Sequence, residues 1–309
     1  MTRCCVILNP QAGHGRAGQA RSTLLPMLQQ ALEHVDLVTT RARGDATQAA
    51  VQAIAQGCTQ LIAVGGDGTL NEVVNGIMRS RALGLGDATL GIIPIGSGSD
   101  FIKSLDGDWS DNLPVAVERV VRGHTRTVDL GLVVAEGQQR QTARYLLNAA
   151  GLAVGPHIAR IQASKRQLTG NMAYLLAALQ AAMHYRPQPL TIRFAGRVLP
   201  QPWLIATVAN GRCQGGNFWL TPWAQIDDGL LDLCLIQAMS VPAMLWYMRY
   251  LRNPSGRHTR LRQVTTDRAR RISITYQRPD LLALDGEIIL TDTMYVMIET
   301  LTRTVKLIF

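Results

Sequence analysis

Three times in the first third of the chain a short apolar run stops at glycine and gives way to a helical pattern. This feature restricts the fold more than any other. Val6–Leu8 ends at Asn9-Pro10 and a turn that holds Gly13, Gly15 and Gly18. Leu61–Val64 ends at Gly65-Gly66, and Leu90–Ile95 ends at Gly96 and Gly98. The spacing predicts helices over 20–34, from Asp45 as a cap to 55, and from Thr69-Leu70 through Ile77, with a further strand over 35–40. Strand–helix alternation with short links predicts a parallel sheet covered by helices on both faces. Such sheets bind ligands beyond the carboxyl ends of their strands, which is where the glycine bends fall.

The pattern changes after Thr127. Strands are predicted over 128–135, 145–149, 190–194, 204–208, 230–236, 272–276 and 288–289, interrupted by helices over 172–184 and 242–251. They predict a second, mostly antiparallel β domain. A chain of 309 residues with 47% apolar content has room for two cores. The predicted division is 1–128 for the α/β domain and 129–295 for the β-rich domain, with no Pro/Ser-rich linker between them.

The net charge of +9 and a pI near 9.8 favour acidic partners: nucleotides, nucleic acids or an anionic membrane face. Five cysteines, four of them in apolar contexts, with no CxxC pair, fit buried free thiols in a reducing compartment. No stretch approaches the roughly 20 apolar residues of a spanning helix, so the expected membrane contact is peripheral.

The strongest local signal is V-G-G-D-G-T-L-N-E, Val64 to Glu72. Adjacent glycines let the backbone turn sharply and approach a ligand. Thr69 and Asn71 then open a helix whose free N–H groups suit phosphate. Asp67 stands where phosphate would be, which is reasonable if a cation shares the site; it also reads as an ordinary helix cap. L-N-P-Q-A-G (Leu8–Gly13) and P-I-G-S-G-S-D-F (Pro94–Phe101) are two more turns at strand ends, the latter offering Ser97, Ser99 and Asp100. One shared phosphate-binding cleft accounts for all three. The chain has no G-x-x-x-x-G-K-[ST], no G-x-G-x-x-G opening its first helix and no H-R-D or D-F-G, so P-loop, Rossmann and protein-kinase sites are disfavoured. No serine-centred triad follows Gly96-Ser97-Gly98.

Taken in order, N-P-x-x-G, G-G-D-G-T-x-N-E, P-x-G-[TS]-x-x-D-F, V-D-L-G, D-D-G-L-L-D and L-D-G-E resemble the diacylglycerol kinase catalytic family, to which bacterial soluble lipid kinases and sphingosine kinases belong. The resemblance runs from Asn9 to Glu287. It implies a phosphofructokinase/NAD kinase-like α/β domain and a β-sandwich-like domain, with ATP in the cleft between them and residues 296–309 returning to the first. By matching position the nucleotide would be held by Asn9, Pro10, Gly13, Thr40, Gly65, Gly66, Asp67, Gly68, Thr69, Leu70, Asn71 and Ser97. Glu287 takes the part of catalytic base, with Asp285 beside it; alone, D-G-E would read as a hairpin turn. Asp67, Asp100, Asp129 and one of Asp227 or Asp228 resemble a carboxylate network that holds Mg²⁺ through waters. A separate Mg²⁺ is implied at Gln225, Asp228 and Leu230. Two positions depart from the family pattern: Ser97 replaces threonine and Ser99 replaces asparagine.

The expected activity is therefore transfer of the γ-phosphoryl of ATP to a lipid hydroxyl, with Mg²⁺, in a cytoplasmic enzyme that touches the membrane peripherally. The alternative is an NAD kinase-like enzyme acting on a soluble nucleotide, which leaves D-D-G-L-L-D and L-D-G-E unexplained. Basic and aromatic residues from Leu245 to Arg252, followed by Arg257, Arg260 and Arg262, suggest a segment that meets anionic lipid. No nucleic-acid partner is expected. A homodimer is among the expected arrangements.

Overall fold

The chain begins as four strand–helix pairs: β1 (Arg3–Leu8) and α1 (Arg16–Ala31), β2 (His34–Thr39) and α2 (Asp45–Ala55), β3 (Gln60–Gly65) and α3 (Asp67–Ala82), β4 (Thr89–Pro94) and α4 (Leu113–Arg122). The computed structural model describes residues 3–96, 98–105, 112–164 and 170–308. It divides into two units, 1–128 with 303–309, and 129–302. In the first unit the strands pair in parallel in the order β4-β3-β1-β2, with Val6 opposite both Leu37 and Ile62, and Ile62 opposite Gly91.

Five consecutive residues of β1, β3 and β4 are buried, whereas β2 never is. The three are interior strands covered on both faces. Cys4, Val6 and Leu8 pack with Leu24 and Leu28 of α1 and with Val117 and Val120 of α4. The intervening Cys5 and Ile7 are as deeply buried and face the other way, where α2 meets β1 and α3 meets β3.

The second unit takes up the chain within β5 (Thr125–Gly137). It continues through β6 (Gln141–Leu146), β7 (Ala149–Ala153), α5 (Val154–Ser164), α6 (Gly170–His184), β8 (Pro189–Phe194), β9 (Arg197–Ala209), β10 (Leu231–Gln237), α7 (Val241–Leu251), β11 (Val264–Ala269), β12 (Arg271–Leu284) and β13 (Glu287–Ile308). Pairings among β6 to β12 are antiparallel, as are β5 with β6 and β12 with β13. Period-two alternation splits the side chains between two cores. Leu233 and Leu235 join a core drawn from the strands, which includes Trp203, Ile272 and Val296. Cys234 and Ile236 face α5, α6 and α7, packing with Ile158, Ala177, Ala181, Met244 and Met248. At a register shift in β12, buried Asp280 accepts from His157 of α5 at 2.6 Å and from the Tyr185 hydroxyl at 3.0 Å, which ties the helical layer to the sheet.

Several expectations shift. Helix α1 starts at Arg16, not Ala20, because Gly15 in the left-handed region (φ 89°) turns the chain directly into it; it stops before extended Leu32. Asp45 does not cap α2. Its carboxylate reaches back to the N–H groups of Arg41 (2.8 Å) and Ala42 (2.9 Å), and those bonds lower its pKa. The strand expected over 145–149 is broken between β6 and β7, for a reason given below. The closing strand is far longer than 288–289: Leu307 and Ile308 pair in parallel with Leu90 and Gly91 of β4. The residues grouped with the first unit begin at Arg303, where the expected tail begins at 296.

All five cysteines are free and buried. Burial pushes the thiols of Cys4, Cys5 and Cys234 up to about 12, so none of these three is a poised nucleophile. Among the described residues no helix is long and apolar enough to cross a membrane.

Candidate active site

Because β1 to β4 are parallel, their carboxyl ends share one edge of the sheet. Asn9 follows β1, Thr40 follows β2, Gly65-Gly66 ends β3, and Ile95-Gly96 follows β4. Asn9 Nδ2 donates to Thr69 Oγ1 at 3.1 Å, and the buried Thr40 donates its N–H to the Leu8 carbonyl at 2.9 Å. A β-carbon on Gly96 would stand 2.6 Å from Gly66 Cα, so these two bends meet backbone to backbone and only glycine fits. Arg16 donates to the carbonyl of Gly13 at 3.3 Å and to that of Gly96 at 3.2 Å, joining the first bend to the third. The three glycine bends converge. Gly96→Ala is therefore expected to cost about 1–3 kcal/mol through a backbone clash, seen as a lowered urea midpoint with an unchanged m-value.

Gly66 is extended (φ −100°, ψ −170°), and among the described residues no side chain caps α3. The first N–H groups of a helix lack intrahelical partners and carry the positive end of its dipole. A helix start of this kind, here Asp67-Gly68-Thr69-Leu70-Asn71, can receive an anion. Asp67 does not stand open beside it. Its oxygens accept the N–H groups of Asp100 (2.9 Å) and Phe101 (3.0 Å), which fastens the second bend to the 3₁₀ turn Phe101–Ser104. Burial, with the nearby Asp100 carboxylate, raises the Asp67 pKa, against the pull of those two N–H bonds and of Lys103. Lys103 pairs with Asp100 at 2.7 Å. Ser97 lies outside the described residues. Ser99 has φ 46°, the left-handed region where asparagine, the residue usual in the family, is more at ease.

In the second unit Asp285 and Gly286 have φ 47° and 84° and join Leu284 to Glu287. They form a two-residue hairpin turn of the type that favours Asp-Gly. The Asp285 carboxylate is buried and accepts N–H bonds from Leu147 (3.0 Å), Asn148 (2.9 Å) and Ala149 (2.7 Å). This grip interrupts the strand between β6 and β7. The resemblance puts Asp285 in the catalytic pair; in the structure its carboxylate accepts these three backbone N–H bonds and so holds the hairpin to the start of β7. Glu287 is the first residue of β13 and is half-buried.

Asp129 is fully buried, donates its N–H to the Ile226 carbonyl at 2.7 Å and accepts the Gly229 N–H at 2.7 Å. It therefore organises the D-D-G-L-L loop. Asp228 accepts the Leu230 N–H at 3.0 Å and pairs with Arg268 at 3.2 Å. Gln225 is exposed and Leu230 half-buried. Among the described residues no cluster of three or more His, Cys, Asp or Glu side chains could hold a metal. One buried oxygen next to this loop, Asp232 Oδ2, has no hydrogen-bond partner among the described residues. Burial pushes its carboxyl up to about 7, against the attraction of Arg268.

Comparison with known proteins decides the family. Residues 3–133 match the diacylglycerol kinase catalytic domain, and residues 149–308 match the YegS C-terminal NAD kinase beta sandwich-like domain. The chain belongs to the diacylglycerol kinase family. It is 28% identical to a diacylglycerol kinase of Bacillus subtilis (strain 168) over 290 residues, 93% of this chain and 90% of that one. It is also 28% identical to one from Staphylococcus aureus (strain MRSA252) over 289 residues, covering 92% and 86%. Among solved structures, a diacylglycerol kinase from Bacillus anthracis str. Sterne superposes with a TM-score of 0.71 at 22% identity, covering 99% of this chain and 96% of that one. Yeast NADH kinase superposes at 0.51 with 11% identity, covering 99% and 82%, a likeness of fold.

Two residues of this diacylglycerol kinase-family site have no role in the sequence reading. Arg16 follows the glycine turn with nothing in its neighbours to mark it. Glu72 closes the G-G-D-G-T-x-N-E motif and so was in view. Its buried carboxylate accepts the N–H groups of Gly44 (2.8 Å) and Ala46 (3.1 Å), which fixes the loop that follows Thr40.

Proposed function

We propose that this chain is a lipid kinase that transfers the γ-phosphoryl of ATP to a lipid hydroxyl. The observation that carries the reading is the convergence of the three glycine bends, with Asp67 and Arg16, at the uncapped start of α3. Phosphoryl transfer needs positioning and charge neutralisation more than covalent chemistry. In this reading Asn9, Pro10, Gly13, Thr40 and Ser97 line the nucleotide, the N–H groups from Gly65 to Asn71 take its phosphates, and Arg16 adds positive charge beside them. Asp67 and Asp100 attract the cation. Mg²⁺, when bound, neutralises charge on the phosphates. The oxygen donors of Gln225, Asp228 and Leu230 suit a second Mg²⁺, and the unpartnered oxygen of Asp232 beside them favours a cation or its waters there. Glu287 accepts the proton of the attacking hydroxyl, and Asp285 holds the hairpin that carries it. The enzyme works in the cytoplasm, where buried reduced thiols persist.

A second reading, a kinase of a soluble dinucleotide, has the superposition on yeast NADH kinase in its favour. One experiment separates the two. Protein, Mg²⁺ and ATP are incubated with a total lipid extract and, in parallel, with NAD, and the products are weighed by mass spectrometry. A lipid heavier by one phosphoryl group is the expected result. Phosphorylated NAD alone would replace the proposal with the second reading. Asp67→Ala frees the two N–H groups it holds and is expected to lower turnover by roughly 100-fold or more; full turnover in that variant would remove Asp67 from the site.

A further inference from the structure

Helix α7 buries one face completely. Met244, Tyr247, Met248 and Leu251 sit in the core beneath it. Its outer face has no packing to do, yet Leu245 is 40% and Trp246 43% exposed. Arg249 lies one turn further on, its guanidinium 5.2 Å from the Trp246 ring and 4.9 Å from the Tyr250 ring, with Trp246 and Tyr250 themselves 4.7 Å apart. The loop before β10 adds another aromatic beside the loop that follows α7. Trp223, 64% exposed, packs against Gly256, where a β-carbon would come within 2.8 Å of its ring. Between Asp232 and Asp267 the chain contains five arginines, Arg249, Arg252, Arg257, Arg260 and Arg262, and no acidic residue. The acids at the far side are engaged: Asp267 pairs with Arg197, and Asp228 with Arg268.

We infer that this surface docks on an anionic lipid bilayer, with Trp246 and Leu245 at headgroup depth and the arginines on lipid phosphates. Exposed indoles flanked by arginine are what a membrane–water interface accepts. A second copy of the same surface would bring like charges together, and a nucleic-acid backbone would leave Leu245 without a partner. The proposal rests on the lipid-kinase reading for its purpose, since an enzyme of this kind must reach a bilayer-resident substrate; its test does not depend on turnover.

The full chain, without nucleotide, is sedimented with vesicles of phosphatidylcholine alone and of equal parts phosphatidylcholine and phosphatidylglycerol, at low and high salt. Expected are preferential binding to the anionic vesicles, weakening with salt, and about 100-fold weaker partitioning for the Arg249→Glu, Arg252→Glu, Arg257→Glu variant. Thermal melting shows that the variant is folded; if it is not, Arg257→Glu with Arg260→Glu in the exposed loop takes its place, with roughly a 10-fold loss expected. Trp246→Ser is expected to weaken binding to both compositions. Undiminished binding by the charge-reversed variant, or equal binding to both vesicle types, overturns the proposal, as does a change in self-association in place of vesicle binding. Failure of the kinase reading would leave the vesicle result untouched, and failure of docking would leave activity on a detergent-dispersed lipid untouched.

Discussion

Glu287→Gln is expected to lower kcat by roughly 10²–10⁴-fold, the range that a positioned general base contributes, with little change in the KM for ATP. The substitution keeps size and reach and removes the negative charge and with it the ability to take a proton. Glu287 has no part in the glycine bends, so nucleotide affinity should persist. The hairpin should persist too, because its turn is formed by Asp285 and Gly286. Steady-state kinetics on a lipid acceptor, with nucleotide binding measured separately, checks both halves. Wild-type kcat would show that the proton leaves by another route; loss of ATP binding alone would move Glu287 from base to nucleotide contact.

Asp285→Ala should act on stability first. Three buried N–H groups, those of Leu147, Asn148 and Ala149, would lose their acceptor together. Each stranded donor costs about 1–3 kcal/mol, and alanine at a positive φ adds about 1 kcal/mol. Even the lower end of that sum, about 4 kcal/mol, corresponds to about 10 °C in Tm for a unit of this size. Asp285→Asn keeps an acceptor oxygen and a residue suited to the left-handed turn, so its loss should be smaller. A catalytic acid of no structural importance would show the opposite: an unchanged Tm with activity gone.

The contrast between these two residues shows what the sequence could convey. D-G-E reads locally as a turn and, in company with the other motifs, as catalytic. Nothing local says that Asp285 is spent on backbone, because its partners lie 136–138 positions away. The same distance hid the break between β6 and β7, where three apolar or amide residues continue a strand-like pattern but give their N–H groups to a carboxylate. The first unit was readable because interior strands appear as unbroken apolar runs, and glycine marks where they end. Helix α4 was not, since Val115, Val117, Val120 and Val121 supply the β-branched character of a strand. Strand β13 is legible at its start, 288–289, and as a returning tail, 296–309, but not as one continuous strand; between them threonines and half-exposed positions dilute the apolar signal. The convergence of the bends followed from parallel order, but Arg16 as the link between two of them required coordinates.

Strand β13 has a consequence for how such a protein is made. The chain leaves the first unit at Asp129 and re-enters it at Arg303, so that unit is discontinuous in sequence. Until 303–308 have been synthesised, β4 has no neighbour on the side that Leu307 and Ile308 later occupy, and a bare strand border of this kind invites pairing with other chains. The β-rich half, contiguous from 129 to 302, can reach its final pairing earlier. Loss of Leu307 and Ile308 would uncover that border of β4 while leaving the strand pairings of the contiguous unit, 129–302, in place.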